Sequence, residues 1–598
     1  MLPLRPVFFL TLLATSVALT WLMLRVLAPG GWRVAEGLVL LCFLGIVPWL
    51  GVCLANALPG FLQLVLARNP PRAVLPVAGD IAAGPVTAMT AIALTVRNED
   101  MAAVLPPQRA LLDALDEAGA GDRFVLWVLS DTQDPVAAAA EEAAVAAFRA
   151  ADRDPARVRY RRRAANTGFK AGNVMDFLDH HAAGIDLVLM MDADSAMAAE
   201  SVLRLVRIMQ ADPRMGIVQH LTVGKPAAAA FPRLFQFGMR AGMRVWATGQ
   251  ALWQGDEGPY WGHNAILRAH AFRDHCKLEA LPDGSMILSH DQVEAARIRA
   301  AGWRVCVWAG EDGSQEANPP ALPEYLHRDA RWLAGNLQYR HLLRLPGFRW
   351  MGRWQLVQAI MMFVGAPLYV AVLLLAAFLA ATGAATEVPR GPLLGLTLAW
   401  TVALYAPKLL GYAEVLIFPA RRARYGGGWR FALGAVLEFV FMLLMDAVAQ
   451  VHKTLAIIRL SLGYRAAWLP QNRSDRGVGW DEAARMFWPH TLVGTAVFAG
   501  FAQAGGVAVL WALPFAGGLL LAIPFCVVTA DPGFSAWLRR HGIAAVPEEV
   551  AALPHDEVAE KPREEIAEKR RDEVRALPAM SPASAAEKLH RSQPDPVA

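Results

Sequence analysis

Six apolar runs, each of a length that can span a bilayer, divide this 598-residue chain: about 7–28 and 35–57 near one end, and about 357–382, 392–418, 490–511 and 513–530 near the other. Lipid offers no partner to a bare amide, so a segment crossing it is a helix or part of a closed barrel. Runs of about 20 residues are the helical length. Hydrophobic residues at 55% against 18% charged follow from these runs and exclude an ordinary soluble enzyme. No small-residue cleavage site follows the first run, and a second run comes soon after, so the first is expected to be an uncleaved anchor.

Charge sets the expected orientation. Between 418 and 490 lie Arg421, Arg422, Arg424, Arg430, Lys453, Arg459, Arg465, Arg473, Arg476 and Arg485, and cationic loops beside spans stay cytoplasmic. The loops at 29–34 and 383–391 are poor in Lys and Arg and face out. The region 60–350 and the tail after 531 are therefore expected in the cytoplasm. One crossing by the apolar stretch 431–463 would export the basic residues after it, so an in-plane helix pair or a hairpin is expected there, the choice between them open. The net charge of +4 belongs to the membrane flanks and gives no reason to invoke nucleic acid. The cysteines, Cys42, Cys53, Cys276, Cys306 and Cys526, lack paired or metal-ligand spacing and read as buried small hydrophobes.

The expected organisation is two spans over 1–66, a domain over 67–345 that ends in an amphipathic interface helix, a membrane region over 346–530, and a charged tail over 531–598. Within that tail Glu564–Arg575 is expected as a solvated helix. Inside the second segment, strand-like runs at Thr87–Val96, Phe124–Leu129, Arg157–Tyr160, Leu187–Met191 and Ile217–Gln219 alternate with helical periods at Ala102–Ala118, Val136–Ala151, Asn173–His181 and Ser201–Ala211. That alternation predicts a mostly parallel sheet with helices on both faces.

Ligands of such sheets sit beyond the carboxyl ends of the strands. Leu187–Met191 ends there in Asp192-Ala-Asp194. Two carboxylates one residue apart repel unless a cation shares them, which suits a divalent metal carrying a diphosphate, as in nucleotide-sugar glycosyltransferases. Asn98 and Glu99 follow the first strand, and Asp131 ends the second. Gly168-Phe-Lys-Ala-Gly-Asn173 opens a helix, where Lys170 offers an ammonium and Gly172 a close approach to phosphate oxygens. Tyr260-Trp-Gly-His-Asn264 is an aromatic, polar loop, in which Trp261 could stack on a sugar while His263 and Asn264 bond its hydroxyls. Asp291 stands before a helix over Gln292–Ala301, a place that favours an ionised carboxylate and so a base; a plain N-cap is its other reading. Arg328-Asp-Ala-Arg-Trp332 lies on the amphipathic helix before the third span. There Arg331 could hold a diphosphate and Trp332 form a stacking floor, or the pair could simply anchor the helix at an interface.

The order of these pieces resembles the processive inverting family-2 glycosyltransferases, such as cellulose and hyaluronan synthases. Ser130-Asp-Thr-Gln-Asp-Pro135, Tyr160-Arg-Arg-Arg163, Asp192-Ala-Asp-Ser195, Tyr260–Ile266, Ile287-Leu-Ser-His-Asp291 and Arg328–Asn336 resemble one branch, the glucans biosynthesis glucosyltransferase H family. The resemblance spans about 1–530 and implies a membrane α-helical bundle with a cytoplasmic α/β GT-A glycosyltransferase domain in the inner membrane of Gram-negative bacteria. It also implies UDP-glucose as donor, Mg²⁺ or Mn²⁺, and the β-1,2-linked backbone of osmoregulated periplasmic glucans. The implied partners are a glucan acceptor, membrane lipid, a periplasmic glucan-processing protein and other cytoplasmic proteins.

By that resemblance Asp194, with Asp192, holds the metal. Asn98, Glu99, Asp131, Lys170, Asn173, Asp192 and Arg331 hold the nucleotide sugar, and Asp291 is the base. Trp261, His263, Asn264, Trp332 and Arg328 meet the acceptor. Arg328 stands where cellulose-type enzymes carry Gln, so that contact is not transferable, and both ends look shorter than in many members. Trp468-Leu-Pro-Gln-Asn-Arg473 is a candidate gating loop. Trp350, Trp354, Trp400, Tyr369, Tyr405 and Tyr412 are candidates to line a glucan path. The rivals are a synthase of another linkage or sugar, a transferase with a lipid-linked acceptor, and a non-catalytic membrane transporter or scaffold.

Overall fold

The computed structural model describes residues 4–78, 84–383, 388–464 and 476–551. The candidate gating loop Trp468–Arg473 and the tail helix Glu564–Arg575 lie outside them. The chain opens with two apolar helices, α1 (Arg5–Leu27) and α2 (Val34–Leu66), then a short α3 (Pro70–Val74).

Strands and helices then alternate: β1 (Thr90–Val96), α4 (Met101–Glu117), β2 (Phe124–Ser130), α5 (Pro135–Ala150), β3 (Val158–Arg162), α6 (Phe169–His180), β4 (Leu187–Asp192), β5 (Ala196–Met197), α7 (Ala199–Ala211), β6 (Met215–His220) and β7 (Val223–Gly224). After these come α8 (Ala230–Gln254), β8 (Ala265–Arg268), α9 (Ala269–His275), α10 (Asp291–Ala300), β9 (Arg304–Trp308), β10 (Ser314–Glu316) and α11 (Leu322–Gln338). The main sheet runs β3-β2-β1-β4-β8-β6-β9. Its pairs are parallel except that β8 lies antiparallel to both β4 and β6. The two-residue side-chain period sorts its faces. Ile92 and Leu94 pack with α4 and α7, whereas Ala91 and Ala93 pack with α6, α9 and α10.

The remaining helices are α12 (Trp350–Ala381), α13 (Arg390–Ile417), α14 (Pro419–Arg424), α15 (Gly428–Ser461), α16 (Trp480–Gln503), α17 (Gly506–Leu520), α18 (Ala522–Thr529) and α19 (Pro532–Arg540). Among the described residues five helices (α1, α2, α12, α13, α15) are long and apolar enough to cross a membrane, and the pair α17–α18, bent by 61°, is a sixth if counted as one span. Two expectations change here. The stretch 431–463 falls, but for its last two residues, within one unbroken 34-residue helix, Gly428–Ser461, neither a hairpin nor a pair, because nothing in 435–461 is a Pro or Gly that would break it. It meets the α/β unit at two points along its length: a Cβ on Gly238 of α8 would lie 1.9 Å from Glu438, and Lys453 sits 3.4 Å from Asp329 of α11. The expected division at 511–513 falls instead at Ala504-Gly505-Gly506, where Gly505 has φ 99°.

Glycines also let the α/β unit sit close on the apolar helices. A Cβ on Gly249 of α8 would come 1.8 Å from the Asn56 carbonyl of α2, and one on Gly411 of α13 would come 2.4 Å from the Ala241 carbonyl. Backbones in such contact need residues without side chains. Past α19 the chain returns to α8, where Arg233 pairs with Glu549 at 2.8 Å, so the first part of the region expected as a tail is folded.

Candidate active site

Register brings the predicted clusters to one sheet edge. Val96 stands opposite Ser130, Thr95 opposite Asp192, and Met190 opposite Ala265. The carboxyl ends of β1, β2 and β4 therefore line up. Because β8 is antiparallel, it is its amino end, carrying the Tyr260–Asn264 loop, that arrives beside them.

Asp192 accepts from the Lys170 ammonium and from the Thr95 hydroxyl at 3.2 Å. Lys170 also donates to the Gly262 carbonyl at 2.7 Å, so one cation ties the D-x-D to the aromatic loop. A tight turn holds the two acids: the Ser195 amide donates to the Asp192 carbonyl at 2.9 Å, and the Asp192 amide donates to Ser195 Oγ at 3.1 Å. Gly262 has φ 84°, and a Cβ there would lie 3.5 Å from the Asp291 Cβ and 3.7 Å from the His290 ring. The aromatic loop thus passes directly over Asp291.

Asp291 is the first residue of α10, with His290 at the N-cap. The expectation that the helix start keeps it readily ionised needs correction. Burial pushes its pKa up, and Glu294 adds to that; charged His290 and the amides of residues 291 and 292 oppose this without cancelling it. His290 is held by Glu294 Oε2 at 2.8 Å. Burial works against its charged form, but the Glu294 carboxylate prevails and raises its pKa. The turn before Asp291 is clamped by α11: Gln338 accepts from the Leu288 amide at 2.9 Å and donates to the Met286 carbonyl at 3.1 Å, and the Tyr339 hydroxyl donates to the Ser289 carbonyl at 2.9 Å. Gly335 permits this approach, since a Cβ there would sit 2.2 Å from Ser289 Oγ and 2.8 Å from its backbone nitrogen. Gly335→Ala is expected to cost about 1–3 kcal/mol, the usual penalty of overpacking. It would appear as a lowered melting midpoint with a matching fall in turnover; an unchanged midpoint would mean that α11 does not hold this turn.

His263 lies 3.2 Å from Glu316 of β10, an acid that motif reading did not single out. Burial raises the pKa of Glu316. Charged His263 and Arg328 work against the rise, and the carboxylates of Asp194 and Asp192 work with it. These five groups therefore share one neighbourhood. Arg328 also stacks over Trp332 at 4.7 Å, and Trp332 is exposed; Arg331 is half-buried on the same helix. Trp261 is half-buried, its amide donating to Gln219 Oε1 at 2.8 Å.

At the other end of the edge, both Asp131 oxygens accept from Arg163 at 2.8 Å. Arg163 also reaches the Phe169 carbonyl at 3.1 Å, next to Lys170. In the sequence Arg163 is one of three consecutive arginines, and its position one residue past β3 is the signal that places it at this edge. The Asn98 amide donates to Thr132 Oγ1 at 2.8 Å, while the Asn98 side chain is exposed and Glu99 half-buried beside it. Two predicted residues turn inward. Asn173 is buried, accepting from Arg161 at 2.7 Å and donating to the Leu129 carbonyl at 3.1 Å. Asn264 is fully buried and donates to Ser314 Oγ at 2.9 Å. Their amides join elements rather than face a ligand.

Among the described residues no three His, Cys, Asp or Glu side chains gather closely enough to hold an ion by themselves. Paired carboxylates nevertheless fit a cation that arrives with a substrate diphosphate, because Mg²⁺ commonly takes only one or two protein carboxylates and keeps water and phosphate oxygens. A cavity of about 220 Å³ lies among the apolar helices, lined by Tyr369, Trp400, Tyr405, Asp446, Gln450 and Lys453 among others. Lys453 leads back to Asp329 on α11. Three of the six aromatic candidates line this cavity. Trp350 and Trp354 pack against Phe9 instead, and Tyr412 donates to buried Glu438.

The site's segments coincide with known family models: glycosyl transferase family 2 matches residues 95–276, and glycosyl transferase family group 2 matches 187–412. Among solved structures, a mannosyltransferase from Pyrobaculum calidifontis, determined with GDP-Man and Mn²⁺, aligns with 60% of this chain and 98% of its own at a TM-score of 0.37 and 15% identity. Curated relatives named glucans biosynthesis glucosyltransferase H include one from Xylella fastidiosa, 32% identical over 90% of this chain and 87% of its own, and one from Xanthomonas campestris pv. campestris, 33% identical over 90% and 86%. A third, from Rhodopseudomonas palustris, is 35% identical over 86% of this chain and 73% of its own. With a GT-A-like domain flanked by helices apolar enough to cross a membrane, the chain belongs to the glucans biosynthesis glucosyltransferase H family.

Proposed function

We propose that this protein transfers glucose from UDP-glucose to a growing β-1,2-linked glucan by direct inverting displacement, with its α/β domain on the cytoplasmic side of the inner membrane. The observation that carries the reading is the meeting of Asp192, Lys170 and the Gly262 loop over Asp291. A nucleotide diphosphate and an attacking hydroxyl need anchors of opposite kind within one small space. Asp131, fixed by Arg163, and Lys170 hold the nucleotide, with Asn98 and Glu99 at the same edge. Asp194, with help from Asp192, holds Mg²⁺ or Mn²⁺, which when bound supplies positive charge to the departing diphosphate. Arg331 adds a fixed cation to the same leaving group.

Asp291 accepts the proton of the acceptor hydroxyl as its oxygen bonds the anomeric carbon and the bond to UDP breaks on the opposite face. A carboxylate lifted by burial is the stronger base, and its pKa lies nearer the working pH than an exposed acid's. The ring of Trp332 supports the acceptor sugar, with Trp261, His263 and Arg328 at its margin. The cavity beyond α11, with rings for stacking and Asp446 and Gln450 for hydroxyls, supports export of the chain as it grows.

Inside-out membrane vesicles given radiolabelled UDP-glucose are expected to accumulate β-1,2-linked product within their lumen. Product of another linkage would refute the assignment of backbone, and product left wholly outside would refute export.

A further inference from the structure

A second cavity, of about 520 Å³, is lined by none of the residues assigned above. Its walls come from the end of α2 (Leu64), the α3 segment (Pro70, Pro71, Arg72), α7, α8, the β9–β10 loop and α14. Six arginines line it (Arg72, Arg204, Arg207, Arg244, Arg421, Arg424) against three acids, Glu200, Glu311 and Asp312.

Three of the arginines are already matched. Arg204 pairs with Glu200 at 2.6 Å and with Asp312, while Arg244 and Arg421 each reach Glu414 at 2.6 Å. Arg72, Arg207 and Arg424 have no ion pair among the described residues, although Arg424 lies within the electrostatic reach of the Glu414 and Glu548 carboxylates, and Arg207 spends its Nε on the Gly84 carbonyl at 2.8 Å. Like charges converging on one hollow from three parts of the chain repel unless an anion joins them. Guanidinium groups bind phosphate oxygens in a forked, charge-assisted way that suits them to this task.

The surroundings indicate where the phosphate comes from. The cavity opens where two apolar helices end, α2 at Leu66 and α13 at Ile417, both of which are exposed, as is Leu62. Basic side chains beside exposed apolar ones at helix ends suit a lipid headgroup with its acyl chains alongside. We propose that this cavity binds a phosphate-ester anion, with the headgroup of an anionic glycerophospholipid as its source and a soluble phosphate as the alternative bearer of the same chemistry. A bound headgroup would fasten the α/β domain to the membrane helices at a point far from the D-x-D.

The test uses the full chain, delipidated in detergent. Its melting midpoint is followed as phosphatidylglycerol or phosphatidylcholine is added in mixed micelles, and separately with inorganic phosphate. The native protein is expected to gain stability with phosphatidylglycerol and not with phosphatidylcholine. Arg72→Ala/Arg207→Ala/Arg424→Ala should weaken that response on the order of tenfold or more in half-saturating lipid. Arg539→Ala/Arg540→Ala, which removes exposed charge elsewhere, should keep it. If the triple variant is too unstable, Arg207→Gln and Arg424→Gln singly should each show a smaller loss. A response to inorganic phosphate alone, lost in the same variants, supports the site with a soluble occupant. An equal response in native and triple variant, or no response to either anion, overturns the proposal.

Discussion

Asp291→Asn is expected to lower turnover by about 10²–10⁴-fold, the usual contribution of a positioned base, while UDP affinity stays at its native level. The amide keeps the size of the carboxylate and its place at the start of α10, but cannot take a proton at neutral pH. Because burial lifts the Asp291 pKa and the charged ring of His290 only partly restrains it, the native enzyme should also lose activity on acidification earlier than an ordinary exposed carboxylate would dictate. The sign is fixed by the role: the base works ionised, so activity is present above the raised pKa and falls as pH drops through it. The residual activity of the Asn variant should lack that acidic limb. Two measurements decide the matter, kcat against pH for both proteins and UDP binding by calorimetry. Near-native kcat in Asp291→Asn, or an acidic limb that survives it, would remove Asp291 from the reaction.

How much of this site could be read from the chain depended on how local each signal was. The strand Leu187–Met191 and the acids after it were visible because a buried strand is a continuous apolar run and its end is abrupt. The same holds for Asp131 at the end of β2. What could not be read was pairing across the sheet. Ala265–Arg268 is too short to announce a strand, yet its antiparallel insertion is what swings the Tyr260–Asn264 loop over Asp291. Asn264 sits in a motif rich in ligand-binding residue types, but it is drawn inward by Ser314, fifty residues away in sequence. Glu316 belongs to a three-residue strand with no periodicity to notice. The 431–463 stretch differs for another reason: the charge that follows it points to an even number of crossings, whereas the absence of a helix breaker in 435–461 makes it one continuous helix.

The second large effect is expected for Asp194→Ala. Asp192 accepts from Lys170 and Thr95, so its charge is shared between an ammonium and a hydroxyl, and in the reading proposed above Asp194 is the principal metal ligand. Changing a residue that merely orients a metal ligand costs about 10–100-fold in metal affinity; removal of a ligand itself should cost at least that. Calorimetry with UDP in Mg²⁺ and then in EDTA separates the contributions. In the native protein UDP should bind more tightly when the ion is present. In Asp194→Ala that difference should vanish, while the ion-independent remainder, held by Asp131 and Lys170, persists. The Asp192–Lys170 pair and the Ser195 turn do not pass through the Asp194 side chain, and the melting midpoint of the variant, measured beside the native one, separates a loss of metal from a loss of fold. A variant that retains the full Mg²⁺-dependent gain would place the cation elsewhere. A variant that loses UDP binding even in EDTA would show Asp194 holding the nucleotide pocket together, and the metal assignment would fall with it.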